Sequence, residues 1–320
     1  MAARALWTGS ISFGLVNVPV RVYSAVHEHK LQFHLVHEKD DGPIGYEKVC
    51  KLEDKPVEND EIVISRGATK RLNHLSFYFD PADREAFRGK LRAAGLTVTD
   101  VAPDGGYRDG LWFRDPWGTW INLSPSIPTA LRAETNLPNN DPNRRDRIDI
   151  AAWRELARER GPLRLGHLLI FTPEMEKTER FLCDTLGMRV SDRSIGKVSF
   201  LAAGRGVIDH HCFGLVNSTH RGLQHASFQV CGIDDMGFGT WRMREAGYAD
   251  GFGPGRHALA SNLFHYFRDP WGSWVEYYAD MDKISDDWKS KDWSTLPYIW
   301  GPEWSPEFWG GKMNANLESR

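Results

Sequence analysis

The chain has 320 residues, 41% hydrophobic and 26% charged, with a formal net charge of −3. That length supports two or three domains with a sizeable core. The charge excludes a dominant basic footprint for nucleic acid, and no run of about 18 apolar residues marks a membrane span.

The opening MAARALWTGSISFGL lacks the layout of a secretion signal. Residues 1–66 alternate strand-like runs (ISFGLVNVPVRVYSAV, LQFHLVH) with polar turns such as EKDDGPIG, which predicts a β-rich N-terminal segment. Residues 67–127 form a second unit. It runs from the strand LNHLSFYF (72–79) through the helix stretch DREAFRGKLRAAGL to a Gly-rich turn, a strand, and RDPWGTW before a last strand. Residues 128–160 connect, with NLPNNDPNRRDR as surface chain and IDIAAWRELARER at helical spacing. Residues 161–280 hold two more units. The first is GHLLIF (166–171), helix EMEKTERFLCDTLG, and strands GMRVSDRS, KVSFLAAG and HHCFGLV. The second begins at LQHASFQV (223–230), continues through DDMGFGTWRMREAGY, and ends in RDPWGSW and a final strand. Residues 281–320 are a tail rich in tryptophan (Trp288, Trp293, Trp300, Trp304, Trp309). The four cysteines (Cys50, Cys183, Cys212, Cys231) have no paired-ligand spacing and read as reduced thiols of a cytoplasmic protein.

The repeat of LNHLSFYF in LQHASFQV, each followed by helix, strands and D-P-W-G, predicts an α+β fold of β-α-β-β-β modules. Paired modules of this kind can wrap sheets around one cavity, where a small-molecule site belongs.

Three candidate ligands sit at equivalent strand positions: His167, His225 and Glu276. Two imidazoles and one carboxylate on one face leave adjacent coordination positions open, which suits non-haem Fe(II). Zinc hydrolases use a similar set, but with a HExxH helix that this sequence lacks. A single histidine at a strand start is usually a hydrogen-bonded structural residue. Glu276 lies among bulky aromatics, an expensive place for a carboxylate unless it is paired or metal-bound. In the sister module Asn122 replaces it, and His74 corresponds to His225, as in a copy of the site that has decayed.

These residues carry a resemblance. Residues 164–280, and more loosely 67–310, resemble the type I extradiol ring-cleaving dioxygenases of the vicinal oxygen chelate (glyoxalase/bleomycin resistance/dioxygenase) superfamily. GPGRHALASNLFHYFRDPWGSWVEYY fits the family's order of His, Tyr, D-P-x-G and Glu, with His257 19 and Tyr266 10 residues before Glu276. His211, in HHCFGL, lies 14 residues before His225, and His167 lies 58 before it. The resemblance implies metal binding by His167, His225 and Glu276. It implies acid–base work by His211, with His257 and Tyr266 hydrogen-bonded to the catechol oxygens. It also implies Fe(II), with Mn(II) as the alternative, and meta cleavage of a catechol by O₂ in aromatic hydrocarbon catabolism. A homo-oligomer is expected on the same ground. His210 and His265 are expected to point away, because strand neighbours face opposite sides. Arg256 and Asp269 are expected to support turns. Phe252 stands where relatives acting on acidic catechols carry an arginine, which leans toward a neutral or apolar ring substituent. The tail is read as a flap over the site, or equally as a segment packed on the surface.

A second resemblance covers residues 3–66, which look like the start of bacterial Ku, the DNA-end-binding protein. The phrase W-x-G-x-I-S-F-G-L-V-N-V-P-V carries it. The stretch holds eight Lys/Arg against ten Asp/Glu, so it offers no surplus for phosphate. Its four histidines (His27, His29, His34, His37) read as surface or strand residues. The chain therefore reads as a fusion in which a Ku-like piece replaces a catalytically silent first module. Two other readings remain: a DNA-end-binding or repair accessory protein, and an inactive chelate-fold binding protein.

Overall fold

The computed structural model describes residues 5–6, 11–15, 21–24, 33–36, 62–66, 71–103, 109–125, 140–145, 147–149, 162–245, 247–268, 273–294, 297–304 and 306–309. Up to Arg71 the description is of backbone alone. The helical stretch IDIAAWRELARER and the second D-P-W-G turn, with Asp269, lie outside these residues.

The N-terminal sheet contains β1 (Ile11–Leu15), β2 (Ile62–Arg66), β3 (Arg71–Phe79), β4 (Leu111–Arg114) and β5 (Trp120–Pro125), in the order β2-β1-β3-β5-β4. Ala5–Leu6 also pairs with β3. Helix α1 (Arg84–Ala93) follows β3. Its buried residues Phe87 and Leu91 are four apart, so both fall on one stripe facing the sheet.

The C-terminal sheet has ten strands. They are β6 (Arg164–Thr172), β7 (Arg189–Ser194), β8 (Val198–Ala202), β9 (Phe213–Asn217), β10 (Gly222–Gln229), β11 (Gly251–His257), β12 (Leu263–Arg268), β13 (Trp274–Ala279), β14 (Asp292–Trp293) and β15 (Tyr298–Trp300). Their order is β14-β7-β8-β9-β6-β10-β13-β12-β11-β15. Helices α2 (Met175–Phe181) and α3 (Ile233–Glu245) follow β6 and β10. The elements thus fall where the repeat places them, and the fold is α+β. Among the described residues no helix is long and apolar enough to cross a membrane.

The two sheets repeat one pairing plan. In the C-terminal sheet β6 pairs parallel with β9 and antiparallel with β10, β10 pairs parallel with β13, and β13 antiparallel with β12. In the N-terminal sheet β1, β2, β3, β5 and β4 make the same four contacts with the same senses. The Ku-like phrase ISFGL therefore takes in its sheet the place that β6 takes in the other. Register matches too: Ser76 faces Asn122 as Ser227 faces Glu276.

One apolar cluster spans both sheets, including Leu72, Phe77 and Phe79 of β3 with Leu165, Leu168, Phe213 and Leu215. Phe77 meets Phe213 edge-on with ring centroids 5.6 Å apart. Each such side chain contributes roughly 1.5–3 kcal/mol by leaving water. The described D-P-W-G turn is held by Asp115, whose Oδ1 accepts from the backbone N–H of Trp117 (3.0 Å) and Thr119 (2.8 Å). Trp117 then receives the Arg221 guanidinium at 4.2 Å, docking this turn against the C-terminal sheet.

Candidate metal centre

The three candidate ligands come from three adjacent strands. His167 is on β6, His225 on β10 and Glu276 on β13. Two β-bulges aim the histidines. On β6, Leu165 faces Phe228 while His167 faces Ser227, so Gly166 is the extra residue. On β10, His225 faces Leu169 while Leu223 faces Ile170, so Gln224 is extra. A bulge bends its strand and re-aims the neighbouring side chain.

All three side chains are buried, and their ligand atoms lie within 4.8 Å of one another. His167 Nε2 is 2.8 Å and His225 Nε2 3.4 Å from Glu276 Oε2. Yet Glu276 Oε2 and His225 Nε2 have no aligned hydrogen-bond partner. Glu276 is fully buried. A buried carboxylate oxygen with no aligned partner, and two imidazole nitrogens converging on it, is the environment a divalent cation completes. The donor set fits a metal.

Electrostatics agree. Burial works to raise the Glu276 pKa, but the His167 charge and the close imidazoles of His167, His225 and His257 hold it well below the usual carboxylate range. Burial depresses His225 to about 4, against the pull of Glu276. At neutral pH the set is one carboxylate and a neutral imidazole at His225, the form a metal needs.

His211 lies beside this group, its ring 4.6 Å from that of His167. Burial, then the neighbouring His167 and His210, push its pKa well down. His210 does not stand apart as strand alternation predicts. Its Nδ1 is 3.1 Å from His211 Nδ1, and its Nε2 is 3.0 Å from Asp192 Oδ2. The reason is local: residues 210–212 lie between strands, not within one. The Asp192 carboxylate accepts from His210 Nε2–H, so His210 Nδ1 accepts from His211 Nδ1–H. That leaves His211 Nε2 as a free acceptor. Asp192 is itself tied to the segment after residue 280, accepting from the Lys291 N–H at 2.7 Å.

On the other side, His257 Nε2 lies 3.2 Å from both the Tyr266 hydroxyl and Glu276 Oε1. Burial and the Glu276 charge push the Tyr266 phenol well above its ordinary value, so it stays protonated. His265 takes the opposite face from Tyr266. Arg256 donates to Asp280 Oδ2 at 3.0 Å and to the Ser261 carbonyl, a structural role. Phe252 packs its face 4.8 Å behind the Tyr266 ring instead of lining the cavity. Of His27, His29, His34 and His37, only His34 falls in a described strand.

A cleft of about 640 Å³, partly open to solvent, reaches His167, His211, His225, His257 and Tyr266. Leu169, Val198, Phe200 and Val216 line one side, and Trp304, Phe308 and Trp309 close another. The tail tryptophans divide: Trp304 and Trp309 face the cleft, while Trp288, Trp293 and Trp300 remain partly exposed. In the sister module Trp112 holds the register position of Tyr266 opposite Asn122, and its ring meets His74 edge-on at 5.0 Å.

Two further residues bear on the site, Asp192 through His210 and Gln224 beside His225. Gln224 had a signal, an amide residue before the histidine in both LNH and LQH; Asp192 had none.

His265 sets a pH dependence independent of the ligands. Burial, then the Arg244 charge, depress it to about 4. An unfolded histidine takes its proton near 6.5, so between pH 6.5 and 4 the unfolded chain binds more protons. Stability is therefore expected to fall as pH drops through that window, by roughly 2–3 kcal/mol from this residue. Urea midpoints against pH check this, and His265→Asn should flatten the slope. An unchanged slope would contradict it.

The Glyoxalase/Bleomycin resistance protein/Dioxygenase superfamily pattern matches residues 164–277. Metapyrocatechase 2 of Cupriavidus necator is 37% identical over 248 residues, covering 76% of this chain and 75% of the relative. The chain belongs to the extradiol dioxygenase family. As a member of that family it is an oxidoreductase of the dioxygenase class. Solved structures agree on the fold. A Mn(II)-bound glyoxalase from Novosphingobium aromaticivorans aligns with TM-score 0.67 at 20% identity, covering 96% of this chain and 94% of its own. BphC, a halotolerant catechol dioxygenase, aligns with TM-score 0.65 at 17% identity, covering 97% of each chain. Residues 12–92 of this dioxygenase also match the Ku70/Ku80 beta-barrel domain. The end-joining protein Ku of Mycobacterium tuberculosis (strain CDC 1551 / Oshkosh) is 65% identical over 48 residues, 15% of this chain and 18% of that protein. The match to Ku thus spans under a fifth of that relative's length.

Proposed function

We propose that this enzyme cleaves the ring of a catechol beside its diol, using O₂ at a metal held by His167, His225 and Glu276. The carrying observation is the buried carboxylate whose Oε2 has no aligned partner while the His167 and His225 imidazoles converge on it. We read the metal as Fe(II), and Mn(II) suits the same donors. When bound, it supplies one chemistry: it holds a vicinal diol and O₂ side by side and passes electron density between them.

The chain's own residues do the rest. His211 Nε2, free and neutral, accepts a proton from the diol and returns it to a product oxygen. Tyr266 and His257 hydrogen-bond the diol oxygens, and Tyr266 keeps the substrate as a monoanion. Trp304, Phe308 and Trp309 exclude water from the cleft. Catechol plus O₂ gives a 2-hydroxymuconic-semialdehyde-type product, with both oxygen atoms retained. The N-terminal module, with Asn122 in place of the acid, is silent, and β1 gives the Ku-like stretch a structural role in its sheet. Its charge balance and short match to Ku favour that over DNA-end binding.

The substrate carries an apolar ring substituent, because Leu169, Val198, Phe200, Val216, Leu259, Trp304, Phe308 and Trp309 supply most of the cleft wall and its one lysine or arginine, Lys197, is exposed. Metal-loaded enzyme is expected to prefer 3-methylcatechol or 2,3-dihydroxybiphenyl over 3,4-dihydroxyphenylacetate by at least about tenfold in kcat/KM, roughly 1.4 kcal/mol. A preference for the acidic catechol would overturn the substrate assignment.

A further inference from the structure

Gln224 is the bulged residue of β10 and is fully buried beside a candidate ligand. Each end of its amide is engaged. Its Nε2 donates to the Phe308 carbonyl at 3.0 Å, and its Oε1 accepts from His225 Nδ1. The bulge explains the second contact, since it breaks the alternation that would set neighbouring side chains on opposite faces. The two contacts are linked through amide orientation. The Phe308 carbonyl can only accept, so it selects the rotamer with Nε2 toward it. Oε1 then faces His225 and selects the Nδ1–H tautomer, which leaves His225 Nε2 as the lone pair turned toward Glu276. A main-chain carbonyl 84 residues away thus sets which nitrogen of the ligand is free. The Phe308 ring reinforces this, lying over His225 with centroids 6.0 Å apart at 29° and meeting Tyr266 at 4.7 Å. Phe308 is itself 2% exposed and packed by Trp304 and Trp309.

We infer that Gln224 is a positioning residue that latches the ligand His225 to the tail segment Pro306–Trp309, so that seating of this segment sets metal retention. This rests on the reading of His225 as a ligand. Outer partners that orient metal-bound histidines typically govern affinity by about 10–100-fold. Here the partner is joined to a segment that also walls the cleft, so metal affinity and closure of the cleft share one contact.

The test is a double-mutant cycle on full-length protein, with Mn(II) affinity read from the signal of the free ion in paramagnetic resonance. Gln224→Leu removes both hydrogen bonds at similar volume and is expected to weaken Mn(II) binding at least about tenfold, with the urea midpoint measured alongside. Phe308→Ala unseats the segment and is expected to weaken it similarly. Combining the two should add little, because each breaks the same latch. Gln224→Glu keeps an acceptor for His225 Nδ1–H and is expected to recover most of the affinity while no longer responding to Phe308→Ala. Wild-type affinity in Gln224→Leu would overturn the inference, and so would fully additive losses. His225→Ala separates the two levels. If it still binds Mn(II) as the wild type does, the ligand reading has failed and the latch with it. If it loses Mn(II) while Gln224→Leu does not, only the latch has failed.

Discussion

Glu276→Gln is expected to strip the enzyme of metal and slow ring cleavage by at least about a thousandfold, roughly 4 kcal/mol of barrier. The substitution keeps the shape and removes one charge. That charge is the single anion of the set, fully buried, with His167, His225 and His257 nitrogens 2.8–3.4 Å from its oxygens. A neutral amide leaves two imidazoles and a weak oxygen donor, too little to hold a divalent cation against water. The sister module has already made a comparable change: Asn122 occupies the register of Glu276, and Trp112 that of Tyr266. The fold should survive, because the amide keeps the shape, removes the cost of burying an anion, and leaves beside it imidazoles that can shed a proton instead of a fixed cation. Metal analysis, oxygen uptake and a urea midpoint on one preparation separate these effects. Full metal content in Glu276→Gln would contradict the ligand assignment.

Gly166→Ala is expected to destabilise the protein by about 1–3 kcal/mol and to weaken metal binding with it. A Cβ at Gly166 would meet the Tyr278 hydroxyl at 2.0 Å and its Cε1 at 2.1 Å. Tyr278 is 1% exposed and set in β13 two residues after Glu276, so it has little room to yield. Gly166 is also the extra residue of the bulge that aims His167, and the Tyr278 ring lies 4.9 Å from that imidazole. Any shift therefore moves a ligand. Tyr278→Phe should not rescue the variant, because the ring edge collides as well as the hydroxyl. Tyr278→Leu should recover part of the urea midpoint and of the metal content. A Gly166→Ala protein as stable as the wild type would show that the strand can shift freely there.

Much of this was legible in the chain. The modules could be read because LNHLSFYF and LQHASFQV, and the two RDPWG phrases, repeat along the chain, and β3 and β10 take matching places in their sheets. His167, His225 and Glu276 could be picked out because a carboxylate among aromatics needs a partner, and the structure brings the three together. What could not be read depends on register and long-range contact. The bulges at Gly166 and Gln224 exist only once β6 meets β10. His210 defeated the alternation rule because residues 210–212 are not in a strand, so it joins His211 and Asp192. The place of Phe252 in the sequence points to a neutral or apolar ring substituent but not to its packing: it lies behind Tyr266, and the tail aromatics take the cavity wall. The Phe308–Gln224 contact spans a sequence distance over which no periodicity carries information.

The most direct measurement is oxygen stoichiometry. Wild-type enzyme loaded anaerobically with Fe(II) would be mixed with 3-methylcatechol in a sealed electrode cell, and the product weighed by mass spectrometry. One O₂ is expected to be consumed per catechol, with no hydrogen peroxide and a yellow ring-opened product heavier than the substrate by both oxygen atoms. Quinone with hydrogen peroxide, or oxygen left untouched by folded, metal-loaded protein, would contradict this expectation.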